Sequence, residues 1–278
     1  MGKIRAACIQ MRSTMDPAEN VDAYVDLVGK AVAQGASYIQ SPEMTGFVVQ
    51  ERETLYKLAK PASKDPLVAR AEKLAREHNI WLHIGSTAIL RDDGKIANRA
   101  FVIAPDGRIR ATYDKIHMFD VDLDNGESWR ESAVYEPGKE AVIATIDGMK
   151  TGLAICYDMR FAPLFRNYAK AGAAVLTSPA AFTRQTGKAH WHILLRSRAI
   201  ENGAFMIAAA QGGMHEDGRE TFGHSLMVNP WGEIIAEIDN DEPGVVVSDI
   251  DLGEVDAARR KIPNLLNGRD YKIVQKGL

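Results

Sequence analysis

Cysteine, long apolar runs and an excess of either charge are all scarce in this chain. Its two cysteines, Cys8 and Cys156, are too few for a disulfide framework and fit a reducing compartment. No stretch approaches the roughly 18 consecutive apolar residues of a membrane span. The apolar run after Arg5 is too short for a signal peptide. Gly2 does not open a myristoylation signal, because Ala6 stands where that signal needs Ser or Thr. Thirty-four Lys and Arg against 37 Asp and Glu leave a formal net charge of −3, whereas a nucleic-acid binder carries a basic excess. His-Glu-x-x-His is absent, and His190 and His192, two apart on an expected helix, face different ways. The other histidines (His78, His83, His117, His215 and His224) show no ligand spacing. The expectation is a cytoplasmic protein without cofactor, metal, nucleic-acid or membrane partner.

What the chain does have is a globular composition: 278 residues, 46% hydrophobic and 26% charged. A chain of this length buries about three quarters of its unfolded surface and needs no staple. Residues 4–10 read as a strand. Asp16-Pro17 opens a helix whose apolar positions Val21, Tyr24, Val25, Val28 and Val32 recur at helical spacing up to Gly35. The same grammar repeats with a strand over 38–41, a helix from Asp65-Pro66 through His78, and a strand over 80–86. Segments 100–104 and 109–113 flank Pro105-Asp106-Gly107-Arg108, a hairpin signal. Further on, 142–146 and 151–156 flank Asp147-Gly148, a helix over 163–171 precedes a strand over 174–178, and a helix over 188–202 stops at Gly203. Strands follow over 204–210, 223–228, 233–238 and 245–250; residues 239–242 read as a solvated acidic turn and 262–278 as a tail. Helices alternating with strands, with hairpins among them, indicate an α/β protein. Lacking linkers, the chain reads as one domain over 1–278.

Three polar residues end apolar strands, where rigid backbone presents side chains to a crevice: Glu43, Lys115 and Cys156. A sharp turn at Cys156 would expose the sulfur and aim the following N–H groups at one spot. Each residue taken singly has a bland reading, as a surface carboxylate, a solvated lysine and a buried thiol.

Together they form a pattern. Ser41-Pro42-Glu43-Met44-Thr45-Gly46-Phe47, Tyr113-Asp114-Lys115-Ile116-His117 and Gly152-Leu153-Ala154-Ile155-Cys156-Tyr157-Asp158-Met159-Arg160-Phe161 resemble the three signature segments of the nitrilase superfamily of carbon–nitrogen hydrolases, in the family's order. The resemblance implies a four-layer α-β-β-α sandwich with two mixed sheets, assembled as a homodimer or larger homo-oligomer. It implies a catalytic triad at Glu43, Lys115 and Cys156, with an auxiliary carboxylate at Glu131; Glu127, one helical turn earlier, competes for that match. Segments 178–191 and 208–232 look like the branch holding deaminated glutathione amidase and ω-amidase. The implied activity is hydrolysis of the amide of a small carboxylate-bearing substrate, deaminated glutathione first and α-ketoglutaramate as the alternative. Other carbon–nitrogen bonds of the superfamily (aliphatic amide, N-carbamoyl acid, nitrile) stay open. Cys156 would attack, Glu43 would carry protons, and Lys115 with the Tyr157 N–H would hold the oxyanion. Arg184 and Lys188, placed in a loop after the 174–178 strand, with Phe182 beside them, are the candidate substrate-binding residues, and Arg160 reads as a partner of Asp158 or a second candidate. A Cys–His hydrolase using His117 or His190 as base is the rival chemistry, and a non-catalytic binding protein the rival class.

Overall fold

A computed structural model of the chain describes residues 3–123, 126 and 128–277. From the N-terminus, β1 (Lys3–Gln10) leads through α1 (Pro17–Ala33), β2 (Tyr38–Gln40), α2 (Arg52–Leu58) and α3 (Pro66–His78) to β3 (Trp81–Leu90), β4 (Ile96–Ile103) and β5 (Ile109–Asp114). A small hairpin, β6 (Asp120–Asp122) and β7 (Ser128–Arg130), precedes β8 (Ile143–Ile146), β9 (Met149–Gly152), α4 (Ala162–Lys170), β10 (Val175–Thr177), α5 (Arg184–Asn202) and β11 (Phe205–Ala208). A second hairpin, β12 (Gly212–Met214) and β13 (Glu220–Phe222), is followed by β14 (Leu226–Val228), β15 (Ile234–Glu237), β16 (Gly244–Asp251) and α6 (Leu252–Lys261).

Two six-stranded mixed sheets result, ordered β16-β1-β2-β3-β4-β5 and β15-β14-β11-β10-β9-β8. The period-two alternation of β1 sorts its side chains between two layers. Ala7 and Ile9 pack with Tyr24 and Val28 of α1 and Leu67 and Ala71 of α3. Ala6 and Cys8 face the other way, into a core shared with Leu176, Phe205 and Met227 of the second sheet. On the far side of that sheet lie α4 and α5, which bury Phe165, Tyr168, Trp191 and Leu195. This is the α-β-β-α order. The helix starts follow their caps: Asp16 accepts from the Ala18 N–H at 2.7 Å and Asp65 from Val68 at 3.0 Å.

Several boundaries differ from the periodic reading, each for a local reason. β3 and β4 run past Ser86, Thr87 and Asn98, polar residues that are buried here and face the interior. β9 stops at Gly152 and does not reach Cys156, because the hydrogen bonds that would continue the ladder are diverted. The Ile155 N–H donates to Asp158 Oδ2 and the Cys156 N–H to the Pro179 carbonyl, both at 2.9 Å. α5 starts at Arg184, a turn before 188, so Arg184 and Lys188 belong to a helix and not to a loop. The stretch 239–242 is more than a solvated turn: Asp241 pairs with Arg184, and the carbonyls of Asn240 and Glu242 accept from Gln10 Nε2. α2 and the hairpins β6–β7 and β12–β13 carry too short a pattern to be read from sequence, and α6 buries only Val255 and Ala258, too few for a clear helical period.

Buried amides stitch the two sheets together. Gln10 Oε1 accepts from the N–H and hydroxyl of Ser225, and Gln40 Oε1 accepts from the Ala209 N–H. Gln211 Nε2 donates to the carbonyls of Glu43 and Met44, across the same seam. His83 lies in it too, 1% exposed, with Nδ1 at 2.8 Å from the Tyr38 hydroxyl. Burial drives its imidazole down from the usual 6.5 to about 3. The folded state therefore holds His83 neutral, while the unfolded chain takes up a proton below 6.5. Its stabilising effect is complete above that value and is lost as pH falls toward 3. Between pH 7 and pH 5 the loss amounts to about 2 kcal/mol. Urea unfolding at the two pH values checks this, and His83→Gln should shrink the difference by roughly that amount.

Candidate active site

Glu43 follows the end of β2, Lys115 follows β5 and Glu131 follows β7, opening a short 3₁₀ turn over Glu131–Ala133. Cys156 opens a second 3₁₀ turn, Cys156–Arg160, with φ of +50°, a left-handed conformation strained for a side-chain-bearing residue. Asp158 holds that turn in place. Its carboxylate, wholly buried, accepts from the Tyr113 hydroxyl at 2.7 Å, from the Ile155 N–H at 2.9 Å, from the His117 N–H at 3.0 Å and pairs with His117 Nδ1 at 2.6 Å. Nothing in the periodic pattern marked Asp158 for this part; only its place two residues after Cys156 hinted at it.

The four residues converge. Lys115 Nζ donates to Glu43 Oε1 at 2.9 Å and to the two oxygens of Glu131 at 2.9 and 2.8 Å. Asn98, on β4, bridges the same carboxylates, its Nδ2 lying 2.9 Å from Glu43 and 3.1 Å from Glu131. Sequence reading missed Asn98 because the strand was begun after it; a lone amide within an apolar run was the available signal. Glu43 Oε2 accepts from the Ala181 N–H at 2.9 Å, and Glu131 Oε2 from the Phe119 N–H at 2.7 Å. Glu127 lies outside the described residues.

The electrostatics follow from this packing. Burial alone would raise the Glu43 carboxyl, but the Lys115 charge and hydrogen bonds from Lys115, the Cys156 thiol and Asn98 outweigh it and hold it below its ordinary value of 4.5. Burial opposes the Lys115 charge, yet Glu131 and Glu43 push its ammonium well above 10.5. Burial and the Glu43 charge keep Cys156 a protonated thiol. The resting site thus has a charged carboxylate, a charged ammonium and a neutral thiol. Cys8, the other cysteine, is pushed up to about 12 by burial among apolar residues and takes no part.

A cavity of about 240 Å³ opens over these groups, with Glu43, Lys115, Glu131, Cys156, Tyr157 and Phe182 in its wall. No histidine lines it among the described residues; His117 is bound to Asp158 and stacked on Phe161 at 3.5 Å. The candidate cations need correction. Arg184 is exposed and paired with Glu220 at 2.7 Å and Asp241 at 3.0 Å, and Lys188 is exposed on the same helix; neither lines the cavity. Arg160 does line it, although Asp158 is already saturated and does not pair with it. Its guanidinium lies 5.4 Å over the Phe182 ring and 5.9 Å over Tyr157. Arg219, 4.8 Å over Trp129, and Arg130 line the outer part.

Two sheets face to face between helices, with a buried cysteine, carboxylate and lysine meeting in one cavity, define the nitrilase-type class of α/β proteins. The Carbon-nitrogen hydrolase family matches residues 5–260, and the chain belongs to that family and is a carbon–nitrogen hydrolase. It is 39% identical over 256 residues to the Drosophila melanogaster nitrilase and fragile histidine triad fusion protein NitFhit, covering 91% of this chain but only 55% of that protein. It is 36% identical over 264 residues to the deaminated glutathione amidase of Synechocystis sp., covering 94% of this chain and 96% of that one. Among solved structures, it resembles a variant of the Nesterenkonia sp. amidase in which the acetamide moiety of fluoroacetamide has added covalently to the active site cysteine. The TM-score is 0.80 at 26% identity, over 96% of this chain and 94% of that one.

One glycine makes the convergence possible. A Cβ added at Gly85 of β3 would overlap the carbonyls of Ser41 and Pro42 and the Pro179 ring, so the backbones carrying Glu43 and supporting Cys156 meet over it. Gly85→Ala should lower kcat by on the order of 10²-fold, because displacement of that size spoils reacting geometry. Destabilisation of about 1–3 kcal/mol should accompany it. Steady-state kinetics with urea unfolding on the same preparation check both.

Proposed function

We propose that this enzyme hydrolyses the amide of a small carboxylate-bearing substrate through a thioester on Cys156, with deaminated glutathione as the first candidate. The observation that carries the reading is the meeting of Glu43, Lys115 and Cys156 at one wall of a single cavity. Because the thiol rests protonated, a base must act during attack. Glu43 takes the Sγ proton as sulfur bonds the carbonyl carbon. Of the three Lys115 N–H donors, one serves Glu43 and one is shared by the two Glu131 oxygens, so the third, with the Tyr157 backbone N–H, stabilises the oxygen that gains negative charge. Glu43 then gives its proton to the nitrogen as the C–N bond breaks, releasing amine or ammonia and leaving the thioester. A water next loses a proton to Glu43 and adds to the thioester carbon; the C–S bond breaks and sulfur recovers the proton. Glu131 positions Lys115.

Support for the substrate class comes from charge. Of the three arginines lining the cavity, Arg130 and Arg219 are paired with Asp122 and Asp217, whereas among the described residues Arg160 has no carboxylate partner and contacts only His190 Nδ1, at 3.3–3.4 Å, beside the Phe182 and Tyr157 rings. A planar guanidinium over Phe182 can donate two parallel hydrogen bonds to a carboxylate. The name of the Synechocystis relative, at 36% identity, points to the same class of compound. Compartment and assembly belong to this proposal as well. Among the described residues no helix is long and apolar enough to cross a membrane. A homodimer is supported by Ile193 and Ile200, 66% and 51% exposed on one face of α5, and by the exposed apolar residues Leu266, Ile273 and Val274 of the tail beyond 262.

Cys156→Ala should abolish turnover without lowering the unfolding midpoint, and Lys115→Gln should reduce kcat by on the order of 10²–10³. With Glu43 held below 4.5 and Lys115 above 10.5, the kcat/KM profile should stay flat through the histidine range near 6.5 and fall only under acid conditions, as Glu43 gains its proton. A limb near 6.5 would restore the Cys–His mechanism. Arg160→Ala should raise KM for deaminated glutathione or α-ketoglutaramate roughly tenfold or more while sparing a neutral aliphatic amide. Side-by-side assays of these with an N-carbamoyl acid and a nitrile test the substrate class, and absence of amine or ammonia release from all of them would favour a binding protein.

A further inference from the structure

Away from the catalytic cavity, three potential ligands converge from three elements. His192 projects from α5, His224 lies in the turn before β14, and Glu237 ends β15. His192 Nε2 lies 2.7 Å and His224 Nδ1 3.2 Å from the same oxygen, Glu237 Oε1, and the ligand atoms all fall within 4.8 Å of one another. His224 reaches this position with φ of +58°, a conformation that non-glycine residues seldom adopt. Phe222 stacks on His224 at 4.2 Å and meets His192 edge-on at 6.0 Å, and the His224 carbonyl accepts from Trp191 Nε1 at 2.8 Å, which orients both rings. No sequence spacing marks these ligands, because they come from three separate elements.

We propose that His192, His224 and Glu237 bind a divalent transition metal, zinc above all. Two imidazoles and a carboxylate form a donor set that zinc accepts, with bonds of about 2.0–2.2 Å that space tetrahedral ligands by roughly 3.3–3.5 Å. Closing on a metal therefore requires shifts of about an ångström or less for the neighbouring pairs. All three side chains are partly exposed, between 22% and 33%, so solvent water completes the coordination. On binding, each neutral imidazole keeps its proton on the outer nitrogen and offers the inner lone pair. The metal ties α5 to β15 through the His224 turn. Phe222, stacked on His224, donates its N–H to the Phe182 carbonyl at 3.0 Å, and Phe182 lines the catalytic cavity. The site thus braces one wall of the cavity and takes no part in the chemistry.

The test uses the full chain with Cys156→Ala, which removes the cavity thiol as a competing ligand, stripped with chelator and titrated with zinc chloride by calorimetry. One equivalent should bind, and the thermal midpoint should rise with zinc concentration. Glu237→Gln and His192→Ala, each added to that background, should weaken binding at least tenfold, while circular dichroism confirms that each variant is folded. Cobalt(II) should give visible d–d absorption that disappears in both variants. No binding at 100 µM zinc, or equal affinity in parent and variants, would overturn the proposal and leave a hydrogen-bonded carboxylate–imidazole pair.

Discussion

An ammonium buried between two carboxylates is the constraint on which the rest of this structure turns. Lys115, with 2% of its side chain exposed, makes contacts of 2.8–2.9 Å with Glu43 and Glu131. Taking these charges out of water is costly, and removing one partner of such a cluster destabilises by about 3–5 kcal/mol because a charge is left uncompensated. The cluster therefore demands that β2, β5 and the β6–β7 hairpin arrive together. What it returns is a lysine held in one orientation and a buried carboxylate that stays charged beside the Cys156 thiol.

That cluster belongs entirely to the first half of the chain, whereas Cys156 comes from the second. The seam between the sheets joins them. Gln10, Gln40 and Gln211 satisfy backbone groups of the opposite half, and the Ala181 N–H closes the link on Glu43 itself. Polar groups buried in this way discriminate between registers, since a slip would leave amides and N–H groups without partners. Gly85 allows the approach, and Asp158 with its ring of donors keeps the strained Cys156 turn from relaxing.

Much of the fold was legible because local chemistry announces it. Asp16-Pro17 and Asp65-Pro66 start helices, and Asp147-Gly148 turns a hairpin, each with the expected backbone. The reading failed where polar residues are buried or where an element is short. The strand expected over 100–104 begins instead at Ile96, and the buried Asn98 within it bridges Glu43 and Glu131 through its Nδ2. Arg184 and Lys188 looked like substrate-binding cations because they follow a strand, but the helix starting at Arg184 directs that arginine to Glu220 and Asp241.

The residue types and their order were in the sequence itself: a glutamate, a lysine and a cysteine at the ends of apolar segments, a near-neutral charge balance, and helix caps that depend only on neighbours a few positions away. Which groups meet was left to the tertiary structure. Asn98 between two carboxylates, Arg184 turned to Glu220 and Asp241, and His192 against His224 and Glu237 are pairings across long stretches of chain. Local backbone preferences act over a few residues, so they do not encode such distances. Only the packing of two sheets, with every buried polar group seeking a partner, selects them.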